Sequence, residues 1–379
     1  MSDALIGLFP DLLPIGGVQV VCRHTAAVLS RIAVERGWQT HFLSLNDPAG
    51  SHEAGVDITN FQFRGFGRSK VRFTIEAMKL ARPDAHIVLA AHPNLTVPAF
   101  AMRTKSPGLH FVAMSHGVDV WQPLNRLRRI GVRAADCVLV PSRDTADKLR
   151  DVQRIPSERI RLLPLGLDPE FLDLACTPKE LPLPDSVPRG RYVLAVGRWS
   201  SAERYKGFDT LIQALPQIRD VTGDVNLVFA GDGDDRLALE ELATRFHVRD
   251  SVRFISGLTR PQLVSVYRHA DVFALPSGGE GFGIVYLEAM ALGRPVVGGN
   301  HGGVPDVVED GVTGFLVQHG NVSQLVERLT LLLRNSGLAG EMGRRGHERV
   351  LRQFSFGKFE AGLRAILGEI DPSIVRKSG

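Results

Sequence analysis

The sequence predicts an α/β protein made of two doubly wound units, each a mostly parallel sheet covered by helices. Short apolar runs alternate with amphipathic helical stretches, which is the pattern of a parallel sheet with helices on its faces. A proline-rich segment interrupts this alternation once, and the alternation then starts again. At 379 residues the chain is long enough for two domains of ordinary size.

The first half begins with an apolar strand, a loop and a long helix. Residues 4–9 are predicted as a strand. Residues 18–36 are predicted as a helix because apolar side chains recur there at helical spacing. Later strands are predicted at residues 39–45, 85–91, 109–115 and 136–141, with helices between them. These elements define a first domain over residues 1–175.

Residues 176–189 contain four prolines and few signals of regular structure, which predicts an interdomain linker. Beyond the linker, strands are predicted at 191–197, 225–230, 252–256, 271–275, 295–298 and 314–317. A second domain therefore covers residues 190–355. The final segment, 356–379, is predicted to carry a helix over residues 356–370 that packs back on the first domain.

The bulk composition favours a folded protein of a reducing compartment. Apolar residues make up 44% of the chain and charged residues 23%, as in ordinary globular domains. The three cysteines are scattered and match no metal-ligand spacing. The first residues lack a basic leader, and no apolar run is long enough to span a bilayer. We therefore expect a cytoplasmic protein.

The positive charge is concentrated in one segment. The formal net charge is only +4, but residues 60–133 hold 12 basic and three acidic residues. Such a cluster suits anionic lipid head groups or a phosphorylated acceptor, and we expect peripheral contact with the inner face of a membrane. The alternative is an ordinary solvated surface. Nucleic acid is disfavoured as a partner because no aromatic platform accompanies the charges.

Residues 280–288 carry two glutamates, Glu280 and Glu288, separated by a glycine-rich turn and the start of an apolar helix. A strand end, a flexible loop and a helix start together present N–H groups and the positive end of a helix dipole to an anion. A carboxylate in such a loop repels phosphate, so it suits the hydroxyl groups of a neutral sugar. The alternative makes Glu280 a helix cap and Glu288 a solvated helix residue.

Two cations follow the first strand of the second half. Arg198 comes directly after the predicted strand end, and Lys206 begins the next helix. A planar guanidinium and a point charge at one sheet edge suit a diphosphate. Arg204 is a candidate third contributor. The alternative is a set of surface cations flanking a helix.

In the first half, Gly16 and Gly17 lie in the loop after the first strand, where a glycine pair lets the backbone approach a phosphate or sugar. His116 follows another apolar strand and is predicted to contact substrate, the alternative being a structural histidine. The G-x-G-x-x-G spacing of dinucleotide-binding folds is missing, which disfavours a dehydrogenase.

Taken in order, these motifs resemble the retaining, nucleotide-sugar-dependent glycosyltransferases of family GT4, which have the GT-B fold. The resemblance covers nearly the whole chain, and its strongest parts are the pairs Gly197-Arg198 and Lys206-Gly207 and the E-x7-E motif of residues 280–288. It implies two Rossmann-like β/α/β domains facing across a cleft, the first for the acceptor and the second for the donor. A closing motion about the linker is expected to exclude water.

The resemblance also implies roles for individual residues. Arg198 and Lys206 are expected to hold the donor diphosphate and to stabilise it as a leaving group. Glu280 and His116 are expected beside the donor sugar, and Glu288 on the ribose. The remaining donor contacts are expected from Gly16, Gly17, Arg204 and the backbone N–H groups of Gly281, Phe282 and Gly283. Fixed cations replace a divalent ion here, so no metal and no cofactor are expected.

The function implied is transfer of a hexosyl group from a UDP- or GDP-hexose to a saccharide or lipid-linked acceptor, in bacterial polysaccharide or glycan biosynthesis. Two alternatives remain open. Nucleotide-sugar epimerases share the fold and need no acceptor. A non-catalytic nucleotide-sugar-binding module has no need of cations for a leaving group.

Overall fold

A computed structural model describes residues 3–14, 16–177 and 181–374. The chain forms two compact units, one of residues Met1–Pro169 with Ser355–Gly379 and the other of Glu170–Phe354. Each unit has its own twisted, mostly parallel sheet with helices packed on it. The α/β fold with two Rossmann-like units that the alternating pattern predicts is thus confirmed.

The first unit is built on an eight-stranded sheet with the order β3-β4-β2-β1-β5-β6-β7-β8. All paired strands run parallel except β3 and β4, which form an antiparallel hairpin at one edge. The strands are β1 (Ala4–Phe9), β2 (Gln39–Ser44), β3 (Gly50–Val56), β4 (Thr59–Gly65), β5 (Ala85–Ala90), β6 (His110–Met114), β7 (Cys137–Val140) and β8 (Ile160–Leu162). Its first five helices are α1 (Gly17–Arg36), α2 (Lys70–Leu80), α3 (Thr96–Lys105), α4 (Arg126–Ala134) and α5 (Arg143–Asp151).

The second unit is built on a six-stranded, fully parallel sheet with the order β11-β10-β9-β12-β13-β14. Its strands are β9 (Tyr192–Val196), β10 (Asn226–Ala230), β11 (Val252–Ile255), β12 (Val272–Leu275), β13 (Val296–Gly299) and β14 (Gly314–Val317). Its helices are α6 (Pro169–Cys176), α7 (Phe208–Thr222), α8 (Arg236–Arg245), α9 (Arg260–His269), α10 (Ile284–Ala291), α11 (Val304–Val307), α12 (Val322–Arg334) and α13 (Ser336–Gln353).

Both sheets contain a point where the strand order reverses. In the first unit the chain builds one way from β1 and the other way from β5, and these two strands are neighbours. In the second unit the same reversal separates β9 from β12. Loops that leave the carboxyl ends of such a strand pair diverge to opposite faces of the sheet and leave a crevice, which is the usual ligand position in open α/β sheets.

Three elements depart from the sequence prediction. The hairpin of β3 and β4 lies at an edge, and the residues of β3 are mostly exposed and polar, so no apolar run marks it. β8 has three residues and is too short for a pattern. Helix α13 contains several glycines, which dilute its helical signal, although it buries one face of the second unit.

The boundary between the units also differs from the predicted one. Helix α6 belongs with the second unit, since the ring of Phe171 packs edge-on against Tyr267 with centroids 6.0 Å apart. Arg268 donates to the carbonyl oxygens of Leu174 and Ala175 at 2.9 and 3.1 Å. The first unit therefore ends at Pro169 instead of residue 175. Part of the predicted linker, 178–180, lies outside the described residues.

Helix α14 (Phe356–Ile370) returns to the first unit and packs along α1. Arg31 pairs with Glu360 at 2.6 Å, and Arg364 pairs with Glu35 at 2.7 Å. The helix bounds match the predicted ones, and residues 375–379 lie outside the described part of the chain.

Candidate functional site

Arg198 and Lys206 meet at one carboxylate beside the carboxyl end of β9. Arg198 Nη2 contacts Glu203 Oε1, and Lys206 Nζ lies 3.0 Å from Glu203 Oε2. Glu203 and Lys206 come from the 3₁₀ segment Ser201–Lys206, which begins three residues after Arg198. The structure thus brings the two predicted cations together and adds a glutamate that motif reasoning did not identify.

The backbone around Arg198 is held by the neighbouring strand end. The N–H of Gly197 donates to the carbonyl of Ala230 at 3.0 Å, and the N–H of Trp199 donates to Asp232 at 2.9 Å. Trp199 is itself 1% exposed. Because both flanking residues are fixed, the guanidinium of Arg198 projects from a rigid turn.

Gly207 explains how the segment carrying Lys206 comes close to the loop carrying Glu280. Gly207 has a φ of +81°, and a Cβ at this position would lie 2.7 Å from the carbonyl oxygen of Pro276. Next to it, the N–H of Gly278 donates to the carbonyl of Tyr205 at 2.6 Å. A side chain at position 207 would separate the loops that follow β9 and β12, so the glycine is required for their close packing.

The loop of Glu280 is also held from its other side. The N–H of Gly303 donates to the carbonyl of Glu280 at 2.7 Å. Gly302 has a φ of +62°, and a Cβ there would lie 2.3 Å from the same carbonyl oxygen. From sequence, Gly302 and Gly303 are equally consistent with ligand approach and with a plain turn. The structure shows a third use, which is close approach to the backbone of Glu280.

The carboxylates at this edge have opposite pKa shifts. Burial raises the pKa of Glu280, while the positive charge of Lys206 acts against that shift and the negative charge of Glu203 adds to it. Burial also opposes the charge on Glu203, but hydrogen bonds from Lys206 and Arg198 outweigh it, so the pKa of Glu203 lies below its usual value. Glu280, Lys206 and Glu203 therefore form one electrostatically coupled group.

Glu288 lies on α10, where its Oε2 accepts a hydrogen bond of 2.7 Å from the hydroxyl of Tyr267 on α9. Burial raises the pKa of that hydroxyl well above its ordinary value, so the tyrosine keeps its proton and donates. The contact fixes one oxygen of Glu288 on the helix that begins at this edge of the sheet.

The turn between the two glutamates presents its backbone at the start of α10. The ring of Phe282 is buried and packs against that of Phe354, with ring centroids 5.8 Å apart. Its side chain is therefore part of the hydrophobic core. Gly281 and Gly283 flank it, and Gly283 caps the helix. That Gly281, Phe282 and Gly283 act on the donor through their backbone N–H groups stays a prediction.

Arg204 has a different partner from Arg198 and Lys206. Its guanidinium makes a two-point ion pair with the buried carboxylate of Asp235, at 2.6 and 2.9 Å. The structure therefore does not bring Arg204 into the group formed by the other two cations.

In the first unit, Gly16 and Gly17 lie at the amino end of α1, which is 20 residues long. The loop before them is held by Asp47, which accepts the N–H of Leu12 at 2.7 Å and the hydroxyl of Ser44 at 2.6 Å. Ile15 lies outside the described residues. A helix start with no side chain at its first residues is a favourable place for an anion.

His116 follows β6 and has a fixed ring. Its Nε2 lies 2.7 Å from the carbonyl oxygen of Ala91, and since a carbonyl only accepts, Nε2 carries the hydrogen. Asp119 holds the loop by accepting the N–H of His116 at 3.1 Å and that of Gly117 at 2.8 Å. Asp119 therefore positions the loop that carries His116. The sequence analysis did not identify this role.

His92 is a second histidine in this part of the first unit. It follows β5, and its ring lies near that of His116 with centroids 6.0 Å apart. Burial lowers the pKa of His92 to about 4, although the nearby Asp119 acts in the other direction. The sequence signal that identified His116, a histidine directly after an apolar strand, also applies to His92.

Among residues 3–14, 16–177 and 181–374, no group of three or more His, Cys, Asp or Glu side chains is arranged to hold a metal ion. In the same described ranges, no helix is both long and apolar enough to cross a bilayer.

Comparison with known families matches both units. Residues 185–349 match the family described as glycosyl transferases group 1, and residues 15–171 match glycosyltransferase family 4. The chain is 34% identical over 274 residues to a GDP-mannose-dependent alpha-(1-6)-phosphatidylinositol monomannoside mannosyltransferase of Mycolicibacterium smegmatis, which covers 68% of this chain and 69% of that protein. It is 25% identical over 359 residues to N-acetyl-alpha-D-glucosaminyl L-malate synthase of Bacillus anthracis, covering 90% of each.

Solved structures share the fold over nearly the whole chain. Sucrose-phosphate synthase from Thermosynechococcus elongatus superposes with a TM-score of 0.77 at 22% identity, covering 97% of this chain and 99% of that one. Anabaena HepE in complex with UDP-glucose superposes with a TM-score of 0.74 at 19% identity and the same coverage. With both sheets, both strand-order reversals and both family matches in place, the chain belongs to glycosyltransferase family 4 and is a glycosyltransferase of the GT-B fold.

Proposed function

We propose that this glycosyltransferase is a retaining hexosyltransferase that moves a hexosyl group from a UDP- or GDP-hexose to a saccharide or lipid-linked acceptor, in bacterial polysaccharide or glycan biosynthesis. One observation carries the proposal. Arg198 and Lys206 converge on Glu203 at the strand-order reversal of the second unit, and Lys206 is electrostatically coupled to Glu280. This is the charge arrangement that departure of a nucleoside diphosphate requires.

The cations act on the leaving group. When the bond between the sugar C1 and the phosphate oxygen breaks, negative charge builds on the diphosphate and positive charge on the sugar ring. Arg198 and Lys206 bind the diphosphate more strongly as its charge grows, which lowers the barrier. The backbone on both sides of Arg198 is fixed by hydrogen bonds to the neighbouring strand end, so little reorganisation of this cation is needed at the moment of reaction.

The anomeric configuration is retained because the acceptor attacks the sugar C1 on the face from which the leaving group departs. The acceptor hydroxyl forms the new C1–O bond on that face and passes its proton to the departing phosphate oxygen. Glu280 binds hydroxyl groups of the donor sugar, and Glu288 binds the ribose. In the first unit, the amino end of α1 at Gly16 and Gly17 suits the diphosphate, and His116 suits the sugar.

The donor and acceptor classes are supported by the relatives. One relative uses GDP-mannose and a phosphatidylinositol mannoside according to its name, and one structural neighbour was solved with UDP-glucose. GDP- and UDP-hexoses are therefore the first donors to test. We further propose that transfer needs no metal, because two fixed cations supply the charge that a divalent ion would bring.

The test combines donor selection with product analysis. Thermal unfolding with UDP, GDP and ADP identifies the base, since a ligand that binds the folded state raises the unfolding temperature. Transfer from the selected NDP-hexose is then measured in excess EDTA, and NMR gives the anomeric configuration of the product. We expect retention and full activity in EDTA. An inverted product, or activity restored only by Mg²⁺, contradicts the mechanism, and turnover of donor without acceptor indicates an epimerase.

We also propose that the first unit contacts anionic lipid through a surface formed by α2, α3 and α4. Each of these helices exposes large apolar side chains, such as Ile75 on α2, Phe100 on α3 and Leu127 on α4. Exposed basic residues lie among them, including Lys70, Arg72 and Arg126. Apolar side chains with interspersed cations favour the interface of an anionic bilayer, and a lipid-linked acceptor would lie there.

Flotation with vesicles tests this surface. The triple variant Lys70→Gln, Arg72→Gln, Arg126→Gln is expected to lose most binding to vesicles containing phosphatidylglycerol, because each basic residue near the surface contributes about 1 kcal/mol. The control Arg334→Gln, Arg352→Gln, Lys358→Gln removes the same charge elsewhere. Equal loss in both variants would mean that net charge, and not this surface, causes binding.

A further inference from the structure

Glu203 occupies the position between the two cations assigned to the donor diphosphate. Each of its oxygens contacts one cation, Arg198 through Nη2 and Lys206 through Nζ. Its side chain and that of Lys206 are each 16% exposed, whereas that of Arg198 is 68% exposed. The carboxylate is therefore a largely enclosed, two-point ligand of both groups.

A carboxylate in this place has the same chemistry as the ligand proposed for the cations. Like a phosphate, it is anionic and accepts hydrogen bonds through more than one oxygen. The pKa of Glu203 lies below its usual value because Lys206 and Arg198 outweigh burial, so it is charged at neutral pH. A diphosphate that binds Arg198 and Lys206 must displace this carboxylate or approach it at a repulsive distance.

The local backbone allows the side chain to be displaced. Glu203 lies where the short segment Ser201–Lys206 departs from helical geometry, with φ −121° and ψ 29°. The backbone of Glu203 is therefore not part of a regular helical turn, and the ion pairs of its carboxylate are contacts that a diphosphate can replace.

We propose that Glu203 is a specificity-determining residue that competes with the donor diphosphate for Arg198 and Lys206 and so sets the affinity for nucleotide. The proposal rests on the proposed function. Its effect is larger on the product than on the donor, because the nucleoside diphosphate gains negative charge when the sugar leaves. Glu203 thereby favours release of the product, a step that often limits turnover.

A purely structural role makes the opposite prediction. If Glu203 only orients the two cations, its neutralisation disorders them and weakens nucleotide binding. If it competes, neutralisation strengthens binding. The sign of the change in affinity therefore separates the two roles.

The experiment measures nucleotide affinity of Glu203→Gln by isothermal titration. UDP, GDP and inorganic pyrophosphate are titrated at low salt and neutral pH. We expect the dissociation constants of pyrophosphate and of the preferred nucleotide to fall on the order of tenfold, since a like charge a few ångströms from the ligand is removed at a partly screened site. Product inhibition by that nucleoside diphosphate strengthens in parallel.

The control is Glu240→Gln. Glu240 also bridges two arginines of the second unit, Arg236 and Arg249, at 3.1 Å each, and is 20% exposed. It therefore resembles Glu203 in bridging two cations and in burial, although a single oxygen, Oε1, contacts both arginines. Glu240 is not part of the proposed site, so the nucleotide affinities of Glu240→Gln are expected to equal those of the wild type. Thermal unfolding of both variants checks that they fold.

Each outcome is decisive. Unchanged or weaker binding by Glu203→Gln, with Lys206→Ala still weakening nucleotide binding, overturns the role of Glu203 and leaves the proposed function intact. If Lys206→Ala binds nucleotide like the wild type, the donor site is misplaced and both proposals fail. Equal strengthening in Glu240→Gln would also overturn the role, because the effect would then come from net charge.

Discussion

The two units have the same architecture at their strand-order reversals but different side chains there. In the second unit, Arg198, Lys206 and Glu203 form a group of full charges next to Glu280. In the first unit, the comparable position has a glycine-lined helix start after β1 and His92 after β5. His116 follows the next strand, β6, and its Nε2 is hydrogen-bonded to a carbonyl. The charged edge suits the stabilisation of a leaving diphosphate. On the edge of the first unit, His116 suits hydrogen bonding to sugar hydroxyls, and only the backbone of a helix start is available to an anion.

The largest effect is expected within the charged edge. Lys206→Ala should reduce the transfer rate by about 10²–10³-fold, as removal of a preorganised transition-state contact typically does. Arg204→Ala removes a cation from the same segment, but its guanidinium is held by Asp235, so we expect a loss below about tenfold. Initial rates at saturating donor measure both. Equal losses in the two variants would show that any cation in this segment can stabilise the leaving diphosphate, so that Lys206 has no special role.

A smaller effect is expected at the edge of the first unit. His116→Ala should lower the rate by about 10–100-fold through loss of sugar positioning, with nucleotide affinity near the wild-type value. His110 lies at the opposite end of β6, and His110→Ala is the control, expected to turn over normally. Loss of nucleotide affinity in His116→Ala would contradict the assignment of His116 to the sugar and of nucleotide binding to the second unit.

The smallest effect concerns stability and pH. Burial lowers the pKa of His92 from 6.5 to about 4, so between these values the unfolded state binds more protons than the folded state. Stability should therefore rise with pH across this window and be lost as pH falls, by about 3 kcal/mol at most, since one pKa unit corresponds to about 1.4 kcal/mol. Thermal unfolding between pH 4 and 7 measures it.

His92→Asn removes the titrating ring and should flatten this pH dependence, while the side-chain oxygen of asparagine can accept the hydrogen bond of 3.1 Å that the N–H of Asn94 donates to Nδ1 of His92. His52→Asn changes a histidine on the edge hairpin of the same unit and should leave the dependence in place. An unaltered slope in His92→Asn would show that other groups cause the acid sensitivity.

Sequence alone predicted the parts of the site that combine a residue type with a strand end. Arg198, Lys206, Glu280 and His116 each follow an apolar run, so their position at a sheet edge could be inferred. Glu203 and Asp119 were not predicted, because their importance depends on which N–H groups and cations they contact. Such contacts arise only when the loops fold against each other.

Two further features illustrate the same limit. Gly302 is required by the carbonyl of Glu280, a neighbour distant in sequence, and no local pattern indicates that approach. The linker composition suggested a boundary at 175, but packing of Phe171 on Tyr267 assigns helix α6 to the second unit. Periodicity predicts elements, whereas their partners depend on tertiary packing.

The most direct measurement is a crystal structure with the nucleoside diphosphate that gives the largest thermal shift. The account predicts the diphosphate between the carboxyl ends of β9 and β12, within hydrogen-bond distance of Arg198 and Lys206 and with the Glu203 carboxylate moved away from at least one of them. A nucleotide bound elsewhere, with the contacts between Glu203 and both cations intact, would contradict it.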